Sequence, residues 1–288
     1  MKKSKMFKII AVLAVIVLAV AGGVLYYFFG YQTLDEGVDI FEIPDTYELE
    51  LKDEFNNGYD ESIWGSSGIT VRRGGYWSQD QVSTKNGKLV IRTEYRDDVE
   101  EPAYYTGDLC TPKKRFLYGY YEIRCKVENT RGLWNAFWLM PDDIYNMEQK
   151  AQDGSEIDIF ESALPYILQN AIYYDGYSGR KQMRTELKDM YDGYHTYGLD
   201  WKKDALRFYY DGKMIWELTD PDSIPAYPAY LNVTTEINGN VIDGKPDTQH
   251  LTWIGCGYIT DEENDLPSDF LVDYVRIYDN GDLVISEK

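Results

Sequence analysis

The chain is predicted to fold as one all-β sandwich, a jelly roll of two antiparallel sheets, placed behind a membrane-directed segment. Three observations carry this. Short runs that alternate apolar and polar residues recur along the chain, turn residues separate them, and no comparable window keeps a helical period. A turn or two of helix around 142–151 is the one exception. The clearest runs are KLVIRTEY at 88–95, GYYEIRCKV at 119–127, AFWLM at 136–140, EIDIFES at 156–162, ALRFYYDGKMIWEL at 205–218 and FLVDYVRIY at 270–278. Asp211-Gly212 interrupts the fifth of these and signals a two-residue hairpin turn. With no internal repeat or low-complexity tract, residues 49–288 read as one sandwich domain.

The N-terminal part is different in kind. Lys2, Lys3, Lys5 and Lys8 precede an uncharged run over residues 9–29. As a helix that run would span about 31 Å, the thickness of a bilayer's hydrocarbon core. The basic side stays in the cytoplasm, so residues 31 onward are expected outside. Residues 1–30 therefore read as a single-pass anchor holding an extracellular domain at the cell membrane. Ala19-Val20-Ala21 offers the rival reading of a cleaved signal, which would make the domain secreted. Residues 31–48 are acidic, carry Gly37 and Pro44, and read as a spacer.

Composition narrows the partners. The chain has 29 Lys+Arg against 49 Asp+Glu, for a net charge of −20. The four lysines before residue 30 leave 25 cations against 49 acids, or −24, on residues 31–288. Such a body repels phosphate backbones, so no nucleic-acid partner is expected. The 27 tyrosines and 7 tryptophans outnumber the 10 phenylalanines. Rings with a polar handle suit a surface that stacks on sugars. Cys110, Cys125 and Cys256 make an odd count in no metal-binding spacing; Cys110 and Cys125 could pair, but small buried side chains are the better reading.

Glu156-Ile157-Asp158-Ile159-Phe160-Glu161 carries the chemistry. Strand alternation sends Glu156 and Asp158 to one face and the isoleucines to the other. Strict alternation would drive Glu161 into the core, where an unpaired carboxylate is costly. One extra residue near Ile159-Phe160, a β-bulge, returns it to the face of the other two acids. Three crowded carboxylates raise at least one pKa, and a protonated acid beside an ionised one is what glycoside hydrolysis uses.

This stretch resembles the E-x-D-x-x-E signature of glycoside hydrolase family 16 in its bulged, laminarinase-like form. Further segments resemble the family in order: Leu51–Asn56, Asn86–Ile91, Tyr105–Leu109, Tyr118–Glu122, Gly132–Pro141, Tyr194–Trp201 and Leu271–Tyr278. The resemblance implies a β-jelly roll with a substrate cleft across its concave face. It implies a retaining endo-glycosidase of polysaccharide, with β-1,3-glucan as the leading substrate and no cofactor needed for catalysis. Glu156 would be the nucleophile, Glu161 the acid/base and Asp158 the residue that tunes the nucleophile, with the glutamates at the ~5–5.5 Å separation of retaining enzymes. Other readings keep the fold: mixed-linkage glucan, a galactan or mucin-type glycan as substrate, a transglycosylase, or a non-catalytic tethered carbohydrate-binding jelly roll. The complete acid triad speaks against the last. A monomer is expected.

Trp134 resembles the family tryptophan on which a sugar ring stacks, whereas Trp138 reads better as core. Tyr76 and Trp77 either wall the cleft or fill a buried turn. Asn232, Thr234 and Glu236 alternate along a candidate cleft strand, which makes Asn232 and Glu236 candidate sugar contacts. Tyr173 stands where many relatives have a histidine, and the tryptophan often found before the catalytic strand is absent. His195 reads as structural and His250 as a loop residue. Asp273 matches a position that often ligates a structural calcium, with carbonyls near Glu54 and Gly87; a cross-sheet hydrogen bond is the alternative.

Overall fold

The computed structural model describes residues 31–34, 39–145, 150–259 and 266–288. Two large sheets face each other. In spatial order, the central strands of the first are Gly179–Glu186, Ile167–Tyr174, Glu156–Leu164, Leu133–Pro141 and Ala229–Ile237. The second is built around Leu206–Tyr210, His195–Trp201, Gly119–Lys126, Ser268–Asp279 and Leu89–Arg96. These neighbours pair antiparallel, as short connections between successive strands allow. The strands anticipated from alternation are present. Tyr210 pairs with Lys213 around Asp211-Gly212, whose φ values of 46° and 74° are those of a tight hairpin turn. Helix is confined, among the described residues, to short 3₁₀ turns such as Ala151–Asp153.

The core lies between the sheets. Phe137, Leu139, Ile157, Phe160, Leu168 and Ile172 meet Tyr121, Ile123, Tyr197, Leu199 and Phe208 from the opposite side, all almost fully buried. Phe160 stacks on Tyr197 with centroids 4.4 Å apart, locking one sheet to the other. Each such apolar side chain contributes about 1.5–3 kcal/mol by leaving water.

Three expectations change here. Part of the stretch read as a spacer, 31–48, is joined to the domain. Gln32–Thr33 pairs in parallel with Gly179–Glu186, Phe41 stacks on Tyr209 at 4.5 Å, and the Tyr47 hydroxyl donates to Asp200. Its aromatic and amide side chains find partners that its acidic composition did not suggest. Cys110 and Cys125 lie in different sheets and all three cysteines are free. Asp273 and Glu54 do not fit a calcium site. Asp273 accepts from Lys88 at 2.5 Å and from Arg124, Glu54 accepts from Arg276 at 2.9 Å, and Lys88 Nζ also approaches the Gly87 carbonyl at 3.4 Å. Fixed ammonium and guanidinium groups already hold these oxygens. The anchor expected over residues 9–29 lies outside the described residues; no helix among the described residues is long and apolar enough to cross a membrane.

Candidate active site

The site forms where the first sheet turns its outer face away from the core. Along Glu156–Leu164, Phe137 pairs with Phe160 but Trp138 pairs with Asp158, so Ile159 is the extra residue of a bulge. Asn170 pins it, donating from Nδ2 to the Ile159 carbonyl at 2.6 Å. Ile159 and Phe160 both enter the core, and Glu161 returns to the face of Glu156 and Asp158. The bulge expected from the spacing is present.

Register spreads this face into rows across the strands. One reads Thr234, Ala136, Glu161, Gln169, Arg184; the next reads Asn232, Trp138, Asp158, Ala171, Gln182. A third runs Glu156, Tyr173, Arg180. Alanines beside two of the acids leave room above them. A depression of about 510 Å³ opens there, within the size range of ligand pockets, lined by Trp134, Glu156, Glu161, Tyr173, Tyr177 and Trp253 among others.

The three acids are distinguished by their surroundings. Asp158 is 3% exposed and its Oδ2 has no partner, so burial, then Glu161 and Glu156, push its pKa well up and favour its protonated form. Glu161, 9% exposed, is pushed up to about 7; burial does most of this, Gln169 pulls it back and Glu156 adds to the rise. Gln169 Nε2 donates to Glu161 at 2.8 Å, while Arg184 Nε donates to Gln169 Oε1 at 3.0 Å and so fixes which way the amide points. Burial also raises Glu156, but the Tyr177 hydroxyl, donating to Oε2 at 2.7 Å, and Arg72 oppose the rise. One carboxyl is thus held as an acid near neutrality, and its neighbour is helped to ionise.

The predicted contacts divide. Trp134 reaches the depression, but Arg73 covers one face of its ring at 4.7 Å and Trp253 meets it edge-on at 5.7 Å. Trp138, expected in the core, instead faces outward beside the acids, its indole N–H bonded to Thr234 Oγ1 at 3.1 Å. Tyr173 sits directly across from Glu156. Glu236 is clamped by Arg72 and Arg73 at 2.7 and 2.5 Å, with both guanidiniums propped against tryptophans. The turn carrying those arginines needs Gly74, where any Cβ would lie 2.6 Å from the Asn238 carbonyl. Asn232 is buried in the row of Asp158. Trp77 packs beneath Trp134 and Trp138, and Tyr76 stacks on Tyr105 at 5.1 Å; neither lines the depression. His195 bonds Asp211 and the Asp189 carbonyl within the other sheet, and His250 is an exposed partner of Asp247.

Sequence reasoning passed over Tyr177, Gln169, Arg180 and Arg184. The alternation of Arg180, Gln182 and Arg184 was a usable signal. The left-handed run Asp175-Gly176-Tyr177, with φ of 52°, 56° and 72°, which turns Tyr177 toward Glu156, was not.

A β-sandwich whose outer sheet face gathers two differently protonated glutamates in an open depression has the architecture of a glycoside hydrolase. The profile of glycosyl hydrolases family 16 matches residues 72–255, and the chain belongs to that family. It is similar to glucan endo-1,3-beta-glucosidase A1 of Niallia circulans, 27% identical over 78% of this chain and 35% of the relative. It is also similar to endo-1,3-1,4-beta-glycanase ExoK of Rhizobium meliloti, 29% identical over 65% of this chain and 63% of the relative. The chain therefore spans less than two thirds of the length of either. The laminarinase catalytic domain from Thermotoga maritima shares the fold, with a TM-score of 0.67 at 21% identity, over 81% of this chain and 98% of that domain.

Proposed function

We propose that the protein is a retaining endo-hydrolase of β-linked glucan, with β-1,3 bonds as its main target. The observation that carries this is the Ile159 bulge, which sets Glu156, Asp158 and Glu161 on one open face. Glu161, in its acid form, gives its proton to the glycosidic oxygen as the bond to the anomeric carbon breaks. The Glu156 carboxylate attacks that carbon and forms a glycosyl ester. Glu161, now ionised, takes a proton from water, the water oxygen attacks the same carbon, and Glu156 leaves. Asp158, protonated between them, hydrogen-bonds rather than reacts. The names of the relatives, which include 1,3- and 1,3-1,4-glucanases, support this substrate class. The test is turnover on laminarin, lichenan, agarose and mucin glycans. Cleavage of laminarin to oligosaccharides is expected; cleavage of agarose or mucin alone would reassign the substrate.

We also infer that residues 1–30 anchor the domain outside the cell membrane, supported by the four lysines ahead of the uncharged run. The full-length chain should then stay with membranes through a high-salt wash. A soluble mature form beginning at Gly22 would make the segment a cleaved signal.

A further inference from the structure

We propose that the strand Gly179–Glu186 carries a subsite for a negatively charged substituent on the glycan, with Arg180 and Arg184 as its receptors. The inference rests on the hydrolase reading above and names a property of its substrate: a glucan that bears acidic groups, carboxylate or sulfate ester. Alternation sends Arg180, Gln182 and Arg184 to the cleft face, and Thr185, on the other face, is fully buried. The same three residues end the three rows that pass through Glu156, Asp158 and Glu161. A saccharide lying across the strands above the acids therefore meets two guanidiniums at this end.

The chemistry of that end runs against the rest of the molecule. Residues 31–288 carry 49 acids against 25 cations, yet the acids lining this depression are Glu156 and Glu161 alone. Glu156 is bonded by Tyr177 and Glu161 by Gln169. At the opposite side Arg72 and Arg73 are neutralised by Glu236, with one carboxylate held between two guanidiniums. The Arg184 guanidinium lies over the Trp253 ring at 5.7 Å, which holds its plane in place. A neutral glucan asks for amides, hydroxyls and aromatic faces; a rigid fork of N–H donors matches a carboxylate or sulfate.

The experiment uses the full chain in detergent with laminarin, the same laminarin partly oxidised to carboxylate at C6, and the same laminarin partly sulfated. The quantity read is the ratio of kcat/KM on each charged polymer to that on the neutral one. In the wild type at low salt at least one ratio should exceed one and fall as salt rises. Arg180→Gln should lower it tenfold or more, and Arg180→Lys by less. The polymer with the larger wild-type ratio identifies the acid. Ratios at or below one, or unchanged by Arg180→Gln, overturn the subsite. Affinity electrophoresis of Glu156→Gln, with and without Arg180→Gln, reads the same preference without turnover. Stronger retardation by a charged polymer that vanishes with Arg180→Gln supports the subsite even if no laminarin is cut, an outcome that would end only the hydrolase reading. Equal retardation by charged and neutral polymers overturns it.

Discussion

Two clusters of acids in this molecule have opposite electrostatics. On the second sheet, Asp273 sits between Lys88 and Arg124; burial would raise its pKa, but the two cations outweigh that and hold it below the usual carboxylate value. On the first sheet, Glu156, Asp158 and Glu161 stand on one strand face without an equivalent cation on each, and all three are raised. Where every carboxylate has a fixed cation, the charge is spent on holding strands together. Where the carboxylates crowd, protons become exchangeable near neutral pH, which is a condition for chemistry and a cost to stability.

The sharpest way to break this contrast is to remove the acids one at a time. Glu156→Ala should abolish turnover on every substrate, since no glycosyl ester can form. Glu161→Ala should retain attack on substrates with good leaving groups, and azide should speed release of its intermediate. Steady-state kinetics with aryl glycosides checks both. Azide rescue of Glu156→Ala with an inverted product, and none of Glu161→Ala, would exchange the two roles.

A smaller effect tests the protonation states. The basic limb of kcat/KM against pH should lie near 7, where Glu161 loses its proton, and Glu161→Gln should erase it. Tyr177→Phe removes a hydrogen bond to the ionised Glu156, worth about 1.5–3 kcal/mol for a charged acceptor. Its acid limb should rise by about one pH unit, with activity down roughly tenfold below that limb. An unmoved acid limb would show that Tyr177 does not act on Glu156.

Stability should respond in opposite directions at the two clusters. Glu161 keeps its proton to about 7 in the folded chain and loses it near 4.5 in the unfolded one. Its contribution is therefore complete below pH 4.5 and is lost as pH rises to 7, a difference of about 3 kcal/mol. Glu161→Gln should raise the urea midpoint at pH 8 and leave it unchanged at pH 4. Asp273, whose folded pKa is lowered, contributes above its unfolded value and loses that contribution only in stronger acid. The smallest expected effect is that of a chelator. EDTA should leave Tm within a degree, because Lys88 and Arg124 already hold Asp273; a large fall would restore the calcium reading.

Much of this was legible in the sequence because strands count in twos. EIDIFE has one residue too many for its acids to share a face, and a bulge is the economical remedy, so Ile159 could be located almost to the residue. Trp138 was misplaced because an apolar residue in a buried run fits either face until register is known. Lys88 and Tyr177 were missed for another reason. Each acts on a residue far away in the chain or across a left-handed turn, and local periodicity holds no record of either meeting. Arg73 over Trp134 is a similar case: the adjacent arginines were visible as a basic rim, but not the ring that one of them covers.

The bulge also makes the catalytic face a matter of parity. A substitution at Ile159 alters packing by a methyl or two, whereas deletion of Ile159 shifts every residue after it to the other side of the sheet. Glu161 would turn inward and Phe160 outward, with all three acids still encoded and their order unchanged. Activity in this chain is therefore more exposed to a lost codon than to most missense changes at the same position. The same arithmetic offers an off-switch that leaves every reacting side chain in the sequence.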